Sequence, residues 1–170
     1  MKKITAVLMC LFLVSALSAC QSGKTSKASL DSFSFSLIWN CNGDSSYDSE
    51  SGKLIKQKNA ENIEDYTTIY QLTDEQKQEI YDLIMELDVN AYPDKYDPFE
   101  GEVYTKPSGT LILSVKTDTI QKKISAVGIA LSDEANNEKG QKFLDVCGEI
   151  CNILVSTDAW KALPEGFLYS

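Results

Sequence analysis

Residues 33–39 read FSFSLIW, and their strict alternation puts Phe33, Phe35, Leu37 and Trp39 on one side of an extended chain and Ser34, Ser36 and Ile38 on the other. Side chains of a strand point to opposite faces with a period of two, so this stretch predicts a strand buried on one face and wetted on the other. Such a strand needs neighbours of its own kind. Residues 47–55, YDSESGKLI, predict a hairpin that turns at Ser51-Gly52, and residues 66–72, YTTIYQL, predict a further strand rich in β-branched and aromatic side chains. A second hairpin is expected from Thr110–Lys116 and Thr119–Val127 around Thr117-Asp118, with Leu111, Leu113 and Val115 on one face.

The period changes to that of a helix in two places. Thr73-Asp74-Glu75-Gln76 has the form of a capping box, followed by Ile80, Leu83, Ile84 and Leu87 on one stripe, so a helix is expected to run to Leu87. Glu138–Val155 repeats the pattern through Phe143, Cys147, Ile150 and Leu154, with Leu144, Cys151 and Ile153 widening the face. Thr157-Asp158 can cap a last short turn that carries Trp160 and Leu163. Hairpins and short connections imply an α+β fold: a mostly antiparallel β-sheet built from hairpins, with two amphipathic helices packed on one face. Residues 32–170 are read as a single α+β domain.

Ahead of that domain the chain has another character. Lys2 and Lys3 precede an apolar run from Ile4 to Leu17, too short to span a bilayer and closed by Leu17-Ser18-Ala19-Cys20. At these four residues the sequence resembles bacterial lipoprotein precursors. The resemblance implies a signal peptide over residues 1–19, diacylglycerol on the Cys20 thiol, cleavage before Cys20, and attachment to the outer face of the cell membrane. Two acyl chains give a stable anchor where one gives only reversible binding. Residues 20–31, with almost no apolar content, are expected to form a flexible tether. Within the domain, SYDSESGKL, LDVNAYPDKYDP and SGTLILSVKTDTI look similar to envelope lipoproteins of Gram-positive bacteria that carry one small α+β domain; that resemblance brings no activity with it.

Composition excludes more than it assigns. Every basic residue is lysine, and histidine and arginine are both missing from the 170 residues. That removes Ser-His-Asp and Cys-His nucleophile systems, histidine zinc sites and an arginine clamp for phosphate. Residues 20–170 hold 14 lysines against 25 acids, a net charge of −11, so a nucleic-acid partner is not expected.

Three candidate sites remain. The long loop from Asp94 to Ser108 gathers Asp94, Asp97, Glu100 and Glu102 among Tyr92, Tyr96, Phe99 and Tyr104. As a partner-binding loop it would use Asp94, Tyr96, Asp97, Phe99, Glu100 and Glu102. Its carboxylates also raise Ca²⁺ as a candidate ligand, although their spacing misses the alternating pattern of a Ca²⁺ loop. The opposing reading folds two or three of the aromatics back over the edge of the core. Cys41 can pair with Cys147 in an exported protein, or all three domain cysteines, Cys151 included, are small buried residues. Asp44, Asp48 and Glu50 could join the later loop as a carboxylate pair for glycan hydrolysis. The leading expectation is a lipid-anchored, extracytoplasmic, non-catalytic domain that binds or modulates a protein or glycan at the cell envelope; a carboxylate-dependent hydrolase is the alternative.

Overall fold

The computed structural model describes residues 30–101, 108–130 and 134–165. The strand at Ser34–Trp39 (β1) forms as its alternation requires, with Phe35, Leu37 and Trp39 buried and Ser34, Ser36 and Ile38 only partly covered. It sits inside a six-stranded sheet of order β4-β3-β2-β1-β5-β6, where β2 is Ser45–Asp48, β3 Lys53–Ile55, β4 Thr67–Ile69, β5 Gly109–Lys116 and β6 Gln121–Ile129. All neighbouring strands in that order run antiparallel. The α+β class expected from the pattern is therefore the observed one.

Both hairpins turn where the residues say they should. At the first, Gly52 has φ +70, and a β-carbon there would crowd the Tyr70 carbonyl oxygen at 2.9 Å. Only glycine adopts that conformation without strain. The Asp48 carboxylate completes the turn by accepting from the Ser51 N–H at 2.8 Å and its hydroxyl at 2.6 Å. At the second, the Thr117 hydroxyl accepts from the N–H groups of Thr119 and Ile120. Strand β4 is shorter than residues 66–72 promised: Tyr66 belongs to a single 3₁₀ turn, Ile63–Tyr66, and pairing with β3 ends at Ile69.

Helix α1, Asp74–Glu86, starts from the expected capping box: the Gln76 N–H donates to the Thr73 hydroxyl and the Thr73 N–H to the Gln76 side chain. It buries Ile80 and Ile84, and Leu87 follows just past its end. Helix α2, Glu138–Ser156, is capped by Asn137 and buries Gly140, Phe143, Val146, Cys147, Ile150 and Leu154. A one-turn helix α3, Asp158–Lys161, brings Trp160 to 5.5 Å from Trp39. These helices and the inward side chains of the sheet share one apolar core.

Among the described residues, no helix lies on the opposite face of the sheet. Cross-strand register aligns its outward side chains in rows: Asp48, Ser36, Ser114 and Lys123 in one, and Ser46, Ile38, Ile112 and Ser125 in the next. The two lateral edges differ. On β6, Ser125 accepts from the Tyr96 N–H at 3.0 Å and donates to the Asp94 carbonyl at 2.8 Å, so Asp94–Tyr96 lies along the edge as a short parallel partner. On β4, the Lys56–Tyr66 and Gly52–Tyr70 backbone bonds point inward; the Thr67 N–H donates back to the Glu64 carbonyl, while the amide of Ile69 turns outward, its residue 65% exposed.

Candidate functional site: the open face of the sheet

The described aromatic rings of the acidic loop fold inward, while Asp94, Asp97 and Glu100 are exposed. Phe99 is 1% exposed and Tyr92 4% exposed, which corrects the expectation that these rings stand out for a partner. Tyr92, half-buried Tyr96 and Phe143 of α2 form a cluster with ring centroids 5.0 to 5.8 Å apart, and the Tyr92 hydroxyl donates to the Lys139 carbonyl at 3.0 Å. The edge-covering reading holds for Tyr92, Tyr96 and Phe99. Tyr96 turns toward the helices because its neighbour Lys95 faces Ser125 across the parallel bridge, and adjacent side chains alternate. Burial raises the Tyr92 hydroxyl to about 12 and pushes Tyr96 in the same direction.

The loop carboxylates are taken up singly. Asp94 pairs with the Lys122 ammonium at 2.6 Å, and that hydrogen bond holds its carboxyl below the usual range. Asp97 accepts from the N–H groups of Phe99 and Gly101. Glu100 accepts from the Asn137 side chain at 3.3 Å. Glu102 and Tyr104 lie outside the described residues. Among the described residues, no three of Cys, Asp and Glu stand together as a metal-holding group.

The cysteines correct a second expectation. Cys41, Cys147 and Cys151 are free thiols. Cys41 is exposed beside the start of β5, whereas Cys147 is completely enclosed by the core, so the two do not meet. Burial raises the Cys151 thiol to about 12 and drives Cys147 well above its ordinary range. Both are inert small core residues.

What the fold does build is a groove of about 830 Å³ on the open face, over β1, β5 and β6. Serine hydroxyls from Ser34, Ser36, Ser114 and Ser125 line its floor. Asp48 and Glu50 stand at the β2 side, and Lys95, Lys116 and Lys123 on the β5 and β6 side. Glu50 accepts from Ser34 at 2.9 Å and pairs with Lys116 at 3.2 Å; the hydrogen bond from Ser34 is the first cause of its lowered pKa, the one to Lys116 the second. Both partners of that pair are largely exposed, 63% and 59%, so the bond is cheap to exchange for another. Lys95 and Lys123 make no ion pair among the described residues.

The placement of these acids also bears on hydrolysis. Glycoside cleavage by two carboxyls needs one of them protonated at the working pH. Glu50 and Asp94, the groove acids whose carboxyls are shifted, are shifted downward and stay ionised. Asp44 is raised, chiefly by burial, but it does not line the groove. The alternation at 33–39 already separates a serine-bearing face from an apolar one; what sequence reasoning missed is that this serine face carries the site. Signal for it lay in Ser34, Ser36, Ser114 and Ser125, each at an outward position of a strand.

Among the described residues no helix is long and apolar enough to cross a membrane. Compared with protein-family models, curated proteins and solved structures, the chain finds no match.

Proposed function

We propose that this chain is a lipid-anchored, extracytoplasmic, non-catalytic domain that binds or modulates a component of the cell envelope, held at the membrane through Cys20 and presenting the helix-free face of its sheet. The observation that carries the reading is the asymmetry of that sheet. One face is sealed by α1 and α2, while the other is left as an open groove of hydroxyls and charges. An antiparallel sheet can leave one face to water, but a groove with unpaired lysines over a serine floor offers recognition groups that solvation alone does not require. Leu17-Ser18-Ala19-Cys20 supports the anchoring half of the proposal, and the low pKa of Glu50 and Asp94 supports the non-catalytic half.

Two measurements test it. Cells fed an alkyne fatty acid should label the wild-type chain and leave Cys20→Ser unlabelled and released from membranes; a Cys20→Ser chain that still carries label would refute lipidation at that thiol. A photo-crosslinking side chain placed at Ser114, in the groove, should trap an envelope component in intact cells, while the same group at Gln78 on α1 should not. Adducts from Gln78 with none from Ser114 would overturn the choice of face.

A further inference from the structure

The lysines of the open face are not scattered. Lys116 lies on β5, Lys123 on β6 and Lys95 on the segment that pairs with the edge of β6. Lys123 is directly opposite Ser114, which makes it the diagonal neighbour of Lys116, and Lys95 is opposite Ser125, which makes it the diagonal neighbour of Lys123. Each step therefore moves one strand across and two residues along. Diagonal neighbours in a sheet are about 7–8 Å apart at the backbone, so the three lysines leave the sheet along one diagonal as a staircase with a regular backbone step.

Resting on the reading that the open face is the binding face, we propose that this staircase binds an extended phosphodiester polymer, one negative group per step. A step of about 7–8 Å matches the extended repeat of a chain with one phosphodiester per three-carbon polyol unit. Lysine binds phosphate as a point charge without needing a planar fork, and Ser114 and Ser125, opposite Lys123 and Lys95, add hydroxyl donors beneath the chain. No aromatic residue occupies an outward position on the described strands, so the face lacks the stacking platform by which single-stranded nucleic acids and neutral sugars are gripped. Charge is segregated to match. Helix α1, on the other side of the sheet, holds Asp74, Glu75, Glu79, Asp82 and Glu86 against a single lysine. Asp48 and Glu50 flank the groove on the β2 side, and Asp94 on the edge segment is taken up by Lys122, which leaves Lys95 and Lys123 without an ion pair among the described residues along the diagonal over β6 and the edge segment.

The test uses the full-length chain held in a neutral detergent and a soluble poly(glycerol phosphate) oligomer of about ten repeats, long enough to cover a three-step site. Binding is followed by calorimetry across a salt series. Three engaged phosphates predict a log–log salt slope of about −2. Lys95→Ala, Lys116→Ala and Lys123→Ala should each weaken binding about 5-fold, in line with the usual worth of one lysine at an anionic surface, and the triple variant about 100-fold, with the salt slope collapsing toward zero. Lys77→Ala on α1 should leave affinity and slope unchanged. Unaltered melting temperatures separate lost contacts from lost fold. No binding by the wild type, or a triple variant that binds as well, overturns the proposal. Equal affinity for oligothymidylate overturns it in favour of nucleic acid, and lysine-dependent binding to anionic vesicles without binding to the oligomer overturns it in favour of a membrane surface. Any of these failures leaves the labelling result at Cys20 and the crosslinking result at Ser114 intact, so the ligand class can fall without the binding face.

Discussion

Phe99→Ala puts the reassignment of the acidic loop to direct trial. The ring is 1% exposed at the end of a segment rich in Asp and Pro. Cutting it to a methyl removes about 100 Å² of buried apolar surface, which at about 25 cal/mol per Å² is about 2.5 kcal/mol. A residual void of about 50 Å³ adds roughly 1 kcal/mol at the usual cavity coefficient, for a total of about 3.5 kcal/mol. For a domain near 135 residues this corresponds to a fall in Tm of about 10–18 °C. Differential scanning calorimetry of wild type and variant measures it, with van't Hoff and calorimetric enthalpies compared to check two-state melting. Were the ring a surface contact, its loss would cost no more than about 0.5 kcal/mol. A Tm within about 2 °C of wild type would refute the burial, and with it the view that the loop covers the edge of the core.

Two further outcomes follow from the same packing. Gly140→Ala should destabilise, because a β-carbon there would press on the Pro98 carbonyl oxygen and stand 2.9 Å from Ala135, whereas Gly148→Ala, with nothing within 4 Å, should stabilise α2 by about 0.5–1 kcal/mol. Urea melts of both variants would show opposite shifts in midpoint. Acid should loosen the β6 edge: Asp94 is held below its ordinary value of 3.8 by Lys122, so its contribution is complete above that value and is lost as pH falls through the lower, folded-state pKa. Asp94→Asn should flatten the stability-against-pH curve in that window, and amide exchange at Tyr96 and Ser125 should locate the change at the edge.

The fold was readable where short-range physics decides it. Alternation at 33–39, the turn at Ser51-Gly52 and the capping box at Thr73 each act within a few residues, and each appears as expected. The destination of the Asp94–Tyr96 segment was not readable, because its partner Ser125 lies some thirty positions away and pairs by backbone, which leaves no trace in side-chain pattern. The same reason hid the lysine staircase: Lys95, Lys116 and Lys123 become neighbours only through the register of β5, β6 and the edge segment. Phe99 misled because its charged neighbours suggested water, while Asp97 was in fact spent on capping the N–H groups of Phe99 and Gly101. The exposed position of Cys41 follows from its place just past Trp39, where β1 ends and the alternation no longer binds it.

The unequal edges of the sheet set how copies of this protein can meet. Strand-by-strand association into a filament needs two adhesive edges per molecule, one to receive and one to be received. Asp94–Tyr96 occupies β6 at its middle, and on β4 the Thr67 amide is already donated to the Glu64 carbonyl, which leaves Ile69 as the outward amide of that strand. Strand-by-strand growth therefore meets a blunted edge on either side of the sheet.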